Sequence, residues 1–278
     1  MLKLGDFNTL RVTRFIDYGA MLEAGDVGEI LMPKSYVSPE LKVGDDVRVF
    51  VYLDQEERLV ATTETPLARV GDFAYLRVNW VNRYGAFLHW GLMKDLFCPF
   101  REQRKTMEVG KSYIVHIYID RETGRLVASA KVDKFLQPAE PHLYPRAKAA
   151  NLLIWQKSPL GFKVIVDNRH NGMLYDRDLL LSLHTGDRIE GSVIQCRPDG
   201  KLDVAAGSIG KARFRDFADV LLQELRNAGG TLPFCDKSDA AAIATRFGVS
   251  KKTFKRAVGT LYKAQKIELH EGSITLKA

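Results

Sequence analysis

The sequence predicts a mainly β chain, three tandem small β-barrels followed by a C-terminal α+β unit. Three observations carry this: a repeat of constant offset through the first two-thirds, period-two alternation of apolar residues inside each copy, and a switch to helical period near residue 214. Val70-Gly71-Asp72-Phe73 echoes Leu4-Gly5-Asp6-Phe7, Arg83-Tyr84-Gly85-Ala86-Phe87-Leu88 echoes Asp17-Tyr18-Gly19-Ala20-Met21-Leu22, and Val109-Gly110-Lys111 echoes Val43-Gly44-Asp45, all at an offset of 66. The tails Arg58-Leu59-Val60-Ala61-Thr62 and Arg125-Leu126-Val127-Ala128-Ser129 match one residue later.

A third copy follows from Pro159-Leu160-Gly161-Phe162-Lys163-Val164, Thr185-Gly186-Asp187 and Asp199-Gly200-Lys201-Leu202-Asp203-Val204. Its Gly161 and Gly186 lie 76 residues beyond Gly85 and Gly110, so extra linker is expected, and Gln137-Pro138-Ala139-Glu140-Pro141 is the candidate. Within the copies, Tyr75-Leu76-Arg77-Val78-Asn79-Trp80-Val81 and Tyr113-Ile114-Val115-His116-Ile117-Tyr118-Ile119 alternate with aromatic and β-branched enrichment, as strands do. Gly5, Gly19, Gly44 and their equivalents read as turn residues that permit positive φ. About five short strands fit each copy, and closing them into a barrel removes the edges an open sheet would expose.

From Phe214 onward, Phe217, Val220, Leu221, Glu224 and Leu225 follow helical spacing, and Gly229-Gly230 ends that helix. Ser238 is the expected cap of a second helix through Ile243 to Phe247, stopped by Gly248. Ser250 caps a third, whose Phe254, Val258 and Leu261 form the apolar stripe, while Lys251, Lys252, Lys255 and Arg256 cluster on and beside one exposed face. Two alternating strands around Glu271-Gly272 close the chain. Helix, helix, glycine turn, basic helix and hairpin is the order of a winged helix-turn-helix. The expected units are residues 1–65, 66–136, 137–212 and 213–278.

Charge is unevenly placed. Of the net +7 over 278 residues, residues 211–278 hold 13 Lys and Arg against 7 Asp and Glu, whereas residues 1–210 hold 28 against 27. A local basic excess favours a polyanionic partner, because each neutralised phosphate releases counterions. No apolar run approaches the roughly 18 residues of a membrane span and no signal-peptide pattern opens the chain, so the reading places it in the cytoplasm, off the membrane. Cys98, Cys196 and Cys235 form no CxxC pair and read as small buried hydrophobes. The six histidines lack metal-ligand spacing, and GxxxxGK[ST], GxSxG, HExxH and GxGxxG with an acidic partner are all missing. Asp45-Asp46 and Glu56-Glu57 fall in turns as solvated charge. A non-enzymatic protein without cofactor or metal is expected.

The order of Val-Gly-Asp strand, Tyr-Gly-Ala-Phe turn, apolar segment ending in proline, Val-Gly-Lys strand and final Leu-Val-Ala-Ser strand resembles the S1-type RNA-binding domain, an OB-fold barrel. The three-copy layout with its C-terminal helical unit resembles the conserved virulence factor B family of bacterial RNA-binding proteins, also called YitL-like, along essentially the whole chain. The resemblance implies a single-strand-binding face on the second copy at Tyr84, Phe87 and Phe97, with Arg83 meeting backbone phosphate. Flat aromatic faces suit unpaired bases, since every base presents a π surface. In the first copy Tyr18 is kept but Met21 and Leu31 stand where Phe87 and Phe97 do; in the third, Phe162 and Tyr175 are the nearest aromatics. Trp80, Trp90 and Trp155 are assigned to core or structural roles.

The reading is therefore an RNA-binding protein, a post-transcriptional regulator that stacks single-stranded RNA on its barrels and adds phosphate contacts from the basic helix. Two alternatives stay open: a DNA-binding transcription factor using the winged helix, and a scaffold on the ribosome or RNA-processing machinery.

Overall fold

The computed structural model describes residues 2–175, 183–207, 211–247 and 249–277, and for residues 211–216 the backbone alone. The chain divides into two compact units, Met1–Phe135 and Leu136–Ala278. The first holds two closed five-stranded barrels. In barrel 1 these are β1 (Phe7–Ile16), β2 (Gly19–Glu23), β3 (Glu29–Pro33), β4 (Asp46–Leu53) and β5 (Leu59–Thr62). Barrel 2 repeats them as β6 (Phe73–Val81), β7 (Gly85–His89), β8 (Leu96–Pro99), β9 (Ser112–Ile119) and β10 (Leu126–Ser129).

Both barrels share one topology: first, second and third strands in antiparallel sequence, then the fifth, parallel to the third, then the fourth, which closes on the first. The duplication reaches the register. Arg14↔Met21↔Leu31 across β1, β2 and β3 become Trp80↔Phe87↔Phe97 across β6, β7 and β8. Each first strand carries a bulge at the matching place, between Val12 and Arg14 and between Val78 and Trp80. A bulge puts one extra residue into a strand and reverses the faces beyond it.

The glycine of the Tyr-Gly-Ala turn earns its place through crowding. A Cβ on Gly85 would lie 2.3 Å from the carbonyl oxygen of Cys98, and one on Gly19 2.0 Å from that of Met32, because the start of the second strand presses on the third. Gly85 does not take a positive φ, so close approach and not handedness requires glycine there.

Packing joins the two barrels. Phe50 of β4 meets Trp90 edge to face at 5.8 Å, and Phe50, Tyr52 and Val60 belong to the same buried cluster as Leu76, Val78, Leu88 and Ile117. Backbone bonds Val70 N–H to Gly5 O and Leu67 N–H to Trp90 O fix the connection. The hydrophobic term is thus continuous across the joint.

The second unit opens with barrel 3: β11 (Ala149–Ser158), β12 (Gly161–Val166), β13 (His170–Tyr175), β14 (Arg188–Cys196) and β15 (Leu202–Ala206), in the same closed order. The proline-rich segment expected as linker is docked on this barrel. Gln137 N–H donates to Arg169 O, Ala139 N–H donates to Gly200 O, and Ala139 is buried in the barrel's core. Cys98 and Cys235 are buried as expected, with the Cys98 thiol pushed up to about 12 by burial, whereas Cys196 is half-buried.

The C-terminal unit comprises α1 (Lys211–Asn227), β16 (Thr231–Leu232), α2 (Ala240–Phe247), α3 (Lys251–Lys263), β17 (Ile267–His270) and β18 (Ser273–Leu276), with sheet order β16-β18-β17. Its core joins Phe217, Leu221 and Leu225 of α1 to Ile243, to Phe254, Val258 and Leu261 of α3, and to Ile267 and Ile274 of the hairpin. Val220, expected on the apolar stripe, is 49% exposed, and Ala218 and Leu222 are buried in its stead. Asp239, not Ser238, caps α2: its carboxylate accepts from the N–H groups of Ala241 and Ala242. Those backbone bonds hold the Asp239 carboxyl below the usual range. Ser238 Oγ instead accepts from Cys235 N–H. Gly248 lies outside the described residues.

Candidate nucleic-acid interface

Barrel 2 presents a row of aromatic rings on the outer face of β6, β7 and β8. The indole of Trp80 lies on the ring of Phe87 with centroids 3.6 Å apart and planes within 3°, and Phe87 meets Phe97 at 5.0 Å. Their registered cross-strand positions explain the contact, since directly paired residues on one face of a sheet lie within ring reach. Trp80 is 46% exposed, Phe87 and Phe97 half-buried. Asp95 orients the indole: one carboxylate oxygen accepts from Trp80 Nε1 at 3.1 Å, the other from Asn79 Nδ2 at 2.8 Å.

Tyr84 stands at the rim, 58% exposed, on a loop held by Asn82 Oδ1, which accepts from the N–H groups of Tyr84 and Gly85. The Arg83 guanidinium sits over the Tyr84 ring, 4.8 Å from its centroid. These rings line a cleft of about 840 Å³ together with Leu53, Gln55 and Glu57 from barrel 1 and Arg101, Asp120 and Arg125 from barrel 2. Arg101 is paired to Asp120 at 2.8 Å.

Trp80, assigned from sequence to a core role, is thus a surface residue of the candidate site. Strict alternation groups it with buried Leu76 and Val78, and the bulge after Val78 turns it outward. The sequence held the signal, because its repeat partners are polar: Arg14 in barrel 1 and Gln156 in barrel 3. Trp90 and Trp155 are buried.

Among the described residues, the other barrels lack the platform. At the Trp80 position of barrel 1, Arg14 pairs with Glu29 at 2.6 Å, and Glu29 also accepts from Thr13. The Arg14 guanidinium, seconded by the Thr13 hydroxyl, holds the Glu29 carboxyl below the usual carboxylate range. Tyr18, 76% exposed, and Phe15, 43% exposed, are the exposed aromatics of this barrel.

In barrel 3 the register Gln156↔Lys163↔Met173 replaces the three rings. Phe162 occupies the inward position matching Ala86 and is buried in the core, with Lys157 Nζ 4.3 Å from its ring centroid; as a stacking residue it is corrected. The Tyr175 hydroxyl is engaged with Arg197 and Asp203.

On α3, Lys252, Lys255 and Arg256 are exposed beside the first turns of the helix, whereas Lys251 is half-buried with Nζ donating to Lys237 O at 3.3 Å. Among the described residues, no helix is long and apolar enough to cross a membrane.

Residues 4–64 match the S1 domain family, and residues 219–276 match the CvfB-like winged helix domain. The chain is 27% identical over 281 residues to the protein YitL of Bacillus subtilis, covering 98% of this chain and 93% of that one. It is also 27% identical over 254 residues to conserved virulence factor B of Staphylococcus aureus, covering 85% and 81%. Among solved structures, a multidomain protein with nucleic acid binding domains from Streptococcus pneumoniae matches at 22% identity over 99% of this chain and 98% of that one, with a TM-score of 0.46. Drosophila Unr CSD456 matches at 13% over 74% and 98%, with a TM-score of 0.20. The resemblance read from the sequence is borne out: residues 4–64 match an S1 domain, residues 219–276 match a CvfB-like winged helix domain, and most of the chain is similar to YitL and conserved virulence factor B.

Proposed function

We propose that this chain holds single-stranded RNA on the outer face of barrel 2, with Trp80, Phe87, Phe97 and Tyr84 as stacking surfaces and Arg83 at the backbone, and acts as a cytoplasmic post-transcriptional regulator. The carrying observation is the coplanar Trp80–Phe87 pair at a cleft wall, with Tyr84 exposed beside it. Large exposed aromatics are costly to keep in water, and unpaired bases are a surface that repays the exposure whatever their sequence. Lys252, Lys255 and Arg256 of α3 add phosphate contacts.

Fluorescence polarisation with a labelled unstructured RNA tests this. Losing one base stack costs about 1 to 3 kcal/mol, so Trp80→Ala should weaken binding by roughly 5- to 150-fold at unchanged unfolding temperature, with Trp80→Phe retaining most of the affinity. Equal affinity of wild type and Trp80→Ala overturns the site. The exposed cations on α3 favour a second reading, duplex DNA bound by the winged helix. A duplex that outcompetes single-stranded RNA, and loses affinity on Lys252→Gln but not on Trp80→Ala, would establish it. No affinity for any naked nucleic acid points to a scaffold on the ribosome or RNA-processing machinery.

A further inference from the structure

Glu57 sits at the tip of the β4–β5 hairpin of barrel 1, in the left-handed region at φ 63°, and reaches across to barrel 2. One of its carboxylate oxygens lies 3.4 Å from Lys94 Nζ and the other 3.2 Å from Arg125 Nε. All three residues line the cleft that holds Trp80, Tyr84, Phe87 and Phe97. A carboxylate held between two cations from different loops, the β7–β8 and β9–β10 connections, beside a row of rings, has the charge and spacing of a bound phosphate.

We propose that Glu57 occupies a phosphate subsite of the cleft: the backbone of a single strand stacked on barrel 2 displaces this carboxylate and takes over Lys94 and Arg125. The inference rests on the stacking reading above and gives barrel 1 a part in it, as a competitor that weakens and tunes binding.

The neighbouring charges discriminate in favour of Glu57. Arg101 also borders the cleft, but its partner Asp120 has a side chain only 12% exposed, so a phosphate drawing Arg101 away would strand a buried carboxylate. Asp54 is held by the Arg58 side chain and by backbone N–H groups of its own hairpin. Asp95 spends both oxygens on Trp80 and Asn79. Glu57 and Arg125, by contrast, have side chains 36% and 56% exposed, and an ion pair at such a site contributes little, so exchange for phosphate is cheap. Lys94 keeps its place in either state, since Nζ also donates to Asp54 O at 2.5 Å.

The experiment is Glu57→Gln in the full chain, measured with the same labelled RNA at several salt concentrations. Glu108→Gln serves as the charge-matched control, because Glu108 pairs with Lys111 and is not among the cleft's lining residues. Glu57→Gln should bind about three- to tenfold more tightly at low salt with the salt slope kept, since Lys94 and Arg125 already meet the phosphate in the wild-type complex. Glu108→Gln should move the affinity far less. Equal gains in the two variants reduce the effect to net charge and overturn the subsite, as does unchanged or weaker binding by Glu57→Gln at an unchanged unfolding midpoint. If the variant unfolds early, Arg125→Gln decides: it should flatten the wild-type slope, and an unaltered slope overturns the proposal. Loss of wild-type binding altogether would instead fail the stacking reading, which Trp80→Ala reports separately.

Discussion

His116 of β9 is wedged between the rings of Phe73 and Phe135, with centroids 4.5 and 4.1 Å away, and its Nδ1 finds no hydrogen-bond partner among the described residues. Burial pushes its pKa down to about 4, against a smaller upward pull from Asp72. Between about pH 6.5 and 4 the unfolded chain therefore binds a proton that the folded chain refuses. Stability from this residue is intact above about 6.5 and falls as the pH drops through that window, by roughly 2 kcal/mol at pH 5. Unfolding free energies from urea titrations at pH 7.5 and 5.0 should differ by that much more in wild type than in His116→Phe; parallel shifts in both proteins would refute it. The orphan nitrogen was not legible in the sequence, where His116 looks like any alternating strand residue. Trp80 escaped for a different reason: its face depends on one bulge, and a bulge leaves no mark in apolar periodicity.

At the scale of elements, Ser250 was legible as the cap of α3 and the structure places it there, its Oγ accepting from Thr253 N–H at 3.2 Å. Ser250→Ala should destabilise the C-terminal unit by about 1 kcal/mol, whereas Ser238→Ala should leave α2 its cap, since Asp239 supplies it. Thermal unfolding of the two variants checks the contrast, and equal losses would contradict it. Two polar candidates one residue apart are indistinguishable until the first helical turn is placed. Strand β12 shows the same limit more sharply. Matching Gly161 to Gly85 was correct, but Phe162 then falls on the inward Ala86 position and Lys163 on that of Phe87, because a shift of one residue exchanges the two faces. The three-stranded sheet gained β16 because two residues, Thr231 and Leu232, pair with β18. Such a short strand carries no period to read.

For the whole molecule, the constant offset of 66 and the helical switch near residue 214 contain the architecture, since repetition and period survive any local misreading of a face. The joint between barrels 1 and 2 was not legible: Glu57 and Arg125 are 68 residues apart, and nothing local couples them. The proposed division between stacking and charge follows from the same layout. The ring platform lies in the unit Met1–Phe135, while residues 211–278 carry a net +6. Stacking is short-ranged and insensitive to salt, whereas phosphate contacts release counterions and weaken as salt rises. The two contributions should then separate in one binding isotherm series. Trp80→Ala should lower affinity by a similar factor at every salt concentration and keep the slope. Lys252→Gln with Lys255→Gln should cut affinity most at low salt and flatten the slope by about 0.7 for each lost contact with a single strand. Residues this far apart in the chain with no shared partner should act additively, so the triple variant should show the product of the two effects. A slope that changes with Trp80→Ala, or a triple variant no weaker than the worse of its parents, would mean that rings and cations do not engage the same strand.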